Sequence, residues 1–244
     1  MKKKEKTINR VGKLYIQRAD RFQLKQVVSD FIENLIESSA KNAAKHISLA
    51  KYATFCYGEL QMHSILVPAL AKLTNCFVME YPIRRYVSDN SGRVDYYCVN
   101  NTGTTKEYIL FLELKCGRQG IPNNTFRKKN IELWHEANNQ LDGISQEIQQ
   151  NKEFYNKTVM RVCMEVIILY ADTSKKEQIN SDILQDALNI SIDALKVSGT
   201  IPNLSVLWEF HPNIVEKAID EFNDSRQFWG LLFLCRVMPP IMPE

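Results

Sequence analysis

The sequence predicts an α/β protein built on a mixed β-sheet, and three observations predict it. Amphipathic stretches of helical period alternate with apolar, β-branched runs of strand length. The central elements read α-β-β-β-α-β and are followed by α-β-α-β, an order that suits one α/β unit with a mixed sheet. The chain has 244 residues, 45% hydrophobic and 24% charged, which is ordinary for a globular protein and long enough for a sizeable core.

The elements follow in order. "DRFQLKQVVSDFIENLIESS" puts Phe22, Val27, Val28, Phe31, Ile32, Leu35 and Ile36 at helical spacing, so residues 1–45 read as a helical N-terminal extension. "YGELQMHSILVPALAKLT" is a second helix with Leu60, Ile65, Leu66, Leu70 and Leu73, kinked or bounded at Pro68. Three extended segments come next, Phe77–Tyr86, Arg93–Val99 and Tyr108–Lys115. "TFRKKNIELWHEANNQLDGISQEIQQ" returns to helical period, with Leu133, Ala137, Leu141, Ile144 and Ile148 on one stripe. "VMRVCMEVIILYAD" reads as a buried strand. The rest reads as helix Glu177–Lys196, strand Leu204–Phe210, helix Asn213–Asn223 and strand Phe228–Val237. One domain, 1–244, is expected, with a core over 50–171 and a C-terminal α/β extension, 172–244, packed on it.

Composition narrows the function classes. No apolar run reaches the length of a membrane span, and no hydrophobic signal core follows the basic "MKKKEKTINR". The six cysteines are scattered without a CxxC pair, which argues against a zinc cluster and fits reduced thiols and a cytoplasmic setting. HExxH, Walker and GxGxxG motifs are absent. The net charge of +3 conceals an asymmetry: residues 1–171 hold 25 Lys+Arg against 17 Asp+Glu, and residues 172–244 hold 6 against 11. A basic first part suits a polyanion, or is an uneven solvated surface. The acidic part keeps a polyanion to the basic side or faces a partner subunit, an arrangement that allows a homodimer.

The chemistry concentrates in "GRVDYYCVNNTGTTKEYILFLELKCGRQG", residues 92–120. Glu113 and Lys115 stand near the end of an apolar run and share one strand face. A turn centred on Thr104 would set Asp95 opposite Glu113, with Cβ atoms roughly 4.5–5.5 Å apart. Two converging carboxylates repel each other, and a hard divalent cation such as Mg²⁺ or Mn²⁺ relieves that repulsion. Taken alone, an ExK triplet on a strand is usually a solvated pair.

Asp95, followed after seventeen residues by Glu113-Leu114-Lys115, resembles the D…(D/E)xK signature of the PD-(D/E)XK nuclease superfamily, the restriction-endonuclease-like fold. The αβββαβ order over residues 50–171 is similar to that fold's core. Glu59 lies in the helix before the first core strand, where many members keep an accessory acid, and Val94 stands where the family name has proline. The resemblance implies a Mg²⁺-dependent nuclease hydrolysing DNA phosphodiester bonds, an endonuclease of restriction or repair type, with Mn²⁺ as a substitute. It implies that Asp95, Glu113, the Leu114 carbonyl and Glu59 hold the metal and that Lys115 positions the attacking water. It also implies that Gln140 lines the cleft; otherwise Gln140 belongs to a solvated helix face.

The flanking charges suit a phosphate backbone. Between Glu113 and Glu132 there are no acids but five cations, Lys115, Arg118, Arg127, Lys128 and Lys129, and Arg84, Arg85 and Arg93 form a second cluster. His63, one helical turn after Glu59, is spaced to share a metal. Cys116 is either an activated thiol or a small core residue. The alternative to an enzyme is a nucleic-acid-binding or scaffold protein on the same fold with little or no turnover.

Overall fold

The computed structural model describes residues 2–19, 26–50, 52–85, 90–105, 107–173, 178–220 and 225–243. Its strands are β1 (Lys2–Ile8), β2 (Gly12–Arg18), β3 (Cys76–Arg85), β4 (Asn90–Asn100), β5 (Tyr108–Gly120), β6 (Thr158–Asp172), β7 (Leu204–Phe210) and β8 (Arg226–Val237). Its α-helices are α1 (Gln26–Ala50), α2 (Glu59–Leu73), α3 (Lys128–Gly143), α4 (Ser145–Gln150), α5 (Ser181–Val197) and α6 (Pro212–Val215). The eight strands form one mixed sheet in the order β1-β2-β7-β8-β6-β5-β4-β3. Among the described residues only β5 and β6 pair in parallel, and α3 and α4 make the crossover that such a pair requires.

Helices cover both faces, which explains why β5 and β6 are buried along nearly their whole length rather than in alternation. Leu110, Leu112 and Leu114 belong to the core cluster that includes Ile32, Leu35 and Ile36 of α1 and Ile65, Leu66 and Leu70 of α2. Ile109 and Phe111 belong to the opposite one, with Trp134, Ala137 and Leu141 of α3 and Leu184 and Leu188 of α5. Trp134 and Trp208 are fully buried, and each indole N–H is satisfied by a carbonyl, Thr200 at 2.8 Å and Val11 at 3.0 Å.

The structure departs from the sequence reading at the N-terminus. Residues 2–18 are a β-hairpin, not part of a helical extension; α1 begins only at Gln26, and Phe22 lies outside the described residues. "KKKEKTI" reads poorly as a strand because β1 is an edge, where exposed lysines deter further pairing. Helix α2 continues past Pro68, which is exposed and does not end it, and Leu60 is also exposed instead of joining the apolar stripe. The helix expected over 213–223 is only one turn, α6; residues 221–224 lie outside the described ones, as do Tyr86 and Glu177.

Candidate active site

The β4–β5 hairpin has the register expected from a turn at Thr104. Asn100 pairs with Tyr108, and the ladder runs to Tyr96 opposite Leu112. The turn is held by Thr104 N–H donating to Asn101 C=O, with Asn101 and Gly103 at positive φ. One residue further along, the strands fork. β4 continues with β3, and β5 continues with β6 as far as Gly120.

The fork sets the geometry of the site. Backbone N–H and C=O of one strand residue point to the same side, so beyond Leu112 the groups of Leu114 and Cys116 that would have met β4 need other partners. Asp95 Oδ2 accepts from Leu114 N–H at 2.6 Å. Glu59, the first residue of α2, lies where the Cys116 backbone dipole favours its carboxylate. By the same rule the Leu114 carbonyl faces the fork. Glu113 and Lys115 lie on the strand face toward α3, and Lys115 Nζ donates to Glu113 Oε1 at 3.0 Å. Glu113 is 2% exposed and Lys115 8%, so this ion pair is largely dry.

The electrostatics tie the four residues into one group. Burial pushes the Lys115 ammonium down, but Glu113, Glu59 and Asp95 outweigh it and hold the pKa above its ordinary value. Burial raises the Asp95 carboxyl against the pull of Leu114 N–H and Lys115, with Glu80 adding to the rise. Burial likewise raises Glu59; Lys115 opposes, and Asp95 and Glu136 reinforce the rise. These are partly desolvated anions around one cation, a state that favours a further positive charge.

Three neighbours were not legible as site residues. Glu80 lies at the β3 position facing Asp95, between the pairs Met79–Tyr96 and Tyr81–Val94, with φ of 53°. Glu136 is four residues before Gln140 on α3, and Gln140 Nε2 lies 3.5 Å from its Oε1. Gln140 is thus engaged with Glu136 on α3 and is not among the residues lining the cleft beside Gly117. Tyr96 OH is hydrogen-bonded to His63 Nδ1, the rings meeting edge-on at 5.4 Å. Burial keeps the imidazole pKa below its usual value, although Asp95 and Glu80 pull it upward.

The outer cations flank the fork. Arg84 and Arg93 are exposed on the β3–β4 arm, and Arg93 lies 3.8 Å from Glu80. The Arg85 side chain lies outside the described residues. Arg127, Lys128 and Lys129 are exposed at the start of α3, the lysines 3.9 and 3.8 Å from Glu132. Arg118 is engaged internally: Nη2 donates to the carbonyls of Cys56 and Tyr57, both at 3.1 Å, and Nη1 lies 3.8 Å from Asp220. Burial pushes the Cys116 thiol up to about 12, which removes it as an activated nucleophile.

Among the described residues no group of three or more His, Cys, Asp or Glu is arranged to hold a metal ion. The donors at the fork still fit a hard cation. Asp95, Glu113 and the Leu114 carbonyl offer only oxygen, and Mg²⁺ is commonly held by one or two carboxylates while keeping several waters. No protein-family model matches the chain, and no match was found among curated proteins or among solved structures.

Proposed function

We propose that the protein is a Mg²⁺-dependent nuclease of the PD-(D/E)XK type, hydrolysing DNA phosphodiester bonds on a restriction-endonuclease-like core formed by α2, β3, β4, β5, α3 and β6. One observation carries the reading: the Asp95 carboxylate is hydrogen-bonded to the backbone N–H between Glu113 and Lys115. Two neighbouring strands thereby bring two carboxylates and an ammonium to the part of β5 where β4 leaves it. Asp95, Glu113 and the Leu114 carbonyl would hold the metal, with Glu59 beside them. Bound there, the metal would lower the pKa of a water and act as a Lewis acid toward the phosphoryl oxygen. Lys115, held charged by three carboxylates, would orient the attacking water and stabilise negative charge as it develops. Arg84 and Arg93 on one side of the fork and Arg127, Lys128 and Lys129 on the other supply backbone contacts that position DNA without reading sequence.

The test is a cleavage time course on plasmid and on oligodeoxynucleotides, with Mg²⁺, with Mn²⁺ and with EDTA. Cleavage that requires metal and disappears in Asp95→Asn is expected. Metal binding and DNA binding without turnover under any condition would instead leave the protein a binding module on this fold.

A further inference from the structure

A cleft of about 300 Å³ opens immediately beyond the fork. It is lined by the residues next to the site acids and lysine, Gly58 before Glu59 and Gly117 two beyond Lys115, and by Tyr57, Arg127, Lys129 and Asn130. We propose that this cleft is a subsite for a single unpaired nucleotide flanking the bond to be cut, the phosphate held by Arg127 and Lys129 and the base against Tyr57. The proposal rests on the nuclease reading and names its substrate form: a strand unpaired beside the scissile phosphate.

The chemistry of the walls supports an anion with an aromatic attached. Arg127 and Lys129 flank the first turn of α3, which contains no acidic residue and whose N-cap has no side-chain hydrogen bond. Gly117 lets Asn130 close against the strand and form this wall, since a Cβ there would stand 2.4 Å from Asn130 Oδ1 and 3.2 Å from Glu165 Oε1. Glu165, on β6 behind this wall, is 0% exposed, and neither of its oxygens has a hydrogen-bond partner among the described residues. Burial raises its carboxyl well above the usual range, which disfavours negative charge behind this wall. Arg118 braces the opposite wall, since its bonds to the Cys56 and Tyr57 carbonyls fix the segment that carries the Tyr57 ring. That ring also rests edge-on against Phe228, at 6.5 Å.

Size decides between paired and unpaired substrate. About 300 Å³ is at the lower end of small-molecule sites, roughly 300–1,000 Å³. It admits one base with its phosphate and not a base pair. Aromatic stacking and a cationic wall are also the general means of holding single strands without sequence preference.

The test has a binding arm and a cleavage arm. In EDTA, the full chain is titrated calorimetrically with a deoxynucleoside 5′-monophosphate, with the corresponding deoxynucleoside and with inorganic phosphate. The monophosphate should bind at least about tenfold tighter than either part, and Tyr57→Leu and the double variant Arg127→Ala/Lys129→Ala should each weaken it by roughly tenfold. In Mg²⁺, single-stranded or forked oligodeoxynucleotides should be cut faster than blunt duplex of the same sequence, and the ratio should fall toward one in the double variant. Equal cleavage of single strand and duplex, or monophosphate affinity unchanged in these variants, would overturn the subsite. Monophosphate binding that follows this pattern with no metal-dependent cleavage of any DNA would retain the subsite as a nucleotide site and overturn the nuclease reading instead.

Discussion

At the scale of single residues, Lys115 and the carboxylates around it should fail in different ways. Lys115→Met keeps the stem and deletes the charge, so the oxygen ligands proposed for the metal remain. Mn²⁺ should still bind by calorimetry, while the cleavage rate should fall by roughly 10²–10³, the usual cost of losing one transition-state donor. Asp95→Asn should instead weaken Mn²⁺ binding. Parent-like cleavage by Lys115→Met would show that the Lys115 charge serves the fold alone. Lys115→Met should also destabilise the fold, because it strips the nearly dry Glu113 of its ammonium; about 3 kcal/mol is expected in chemical denaturation. The same residues set a pH dependence. Asp95, Glu59 and Glu165 have carboxyl pKa values raised above the ordinary range, chiefly by burial. A group raised in the folded state contributes stability that is complete below the unfolded value and is lost as pH rises through the folded one. Metal-free protein should therefore lose melting temperature between about pH 4.5 and neutrality, and Glu165→Gln should flatten that slope and stabilise the protein at pH 7. A melting temperature in EDTA that rises steadily toward pH 7 and is unmoved by Glu165→Gln would contradict this assignment.

At the scale of elements, the β4–β5 hairpin was legible because a turn centre fixes register. Residues equidistant from Thr104 fall opposite each other, and the observed ladder, from Asn100–Tyr108 to Tyr96–Leu112, keeps that spacing up to the fork. The fork itself was not legible. Whether a strand parts from its neighbour depends on what else pairs with each, and here β6 holds β5 while β3 holds β4. The N-terminal hairpin was missed for a related reason: β2 is a strand because β7 receives it along its full length. Gly12 opens that strand with φ of 130°, and a Cβ there would stand 2.0 Å from the Glu209 carbonyl oxygen. Gly12→Ala should thus destabilise the protein by about 2 kcal/mol or more in chemical denaturation. An unchanged midpoint would mean that β2 is not docked on β7 in this way.

At the scale of the whole molecule, residues after 172 complete the sheet. β8 lies between β6 and β7 and pairs with β6 from Val162–Val237 to Asp172–Arg226. β2 and β1 attach to the rest of the sheet only through β7. A chain ended after Asp172 would expose the apolar edge of β6 and leave the N-terminal hairpin without its neighbour. It should be insoluble or lack cooperative melting by circular dichroism, and limited proteolysis of the full chain should release no stable C-terminal fragment. A soluble, cooperatively melting 1–172 fragment would show instead that the C-terminal strands are dispensable. Among the described residues no helix is long and apolar enough to cross a membrane.

The sequence by itself determined the helices and strands of the central region, because periods of 3.6 and 2 residues are local properties that survive without the rest of the chain. It also determined the β4–β5 register, because one short turn joins the strands, but the ladder ends at Tyr96–Leu112 and Asp95 bonds the Leu114 N–H instead of pairing with Glu113. Only the tertiary structure decided that Glu136 joins the group in which the resemblance placed Glu59, that Arg118 turns inward to the Cys56 and Tyr57 carbonyls while Arg127 stays exposed, and that a cleft opens beside Gly117. Those relations join residues from separate helices and strands, and they arise from how the helices cover the sheet once β4 and β5 have parted. The charges within β5 could be read from the sequence; the Leu114 backbone N–H freed beside them, which holds Asp95 in place, could not.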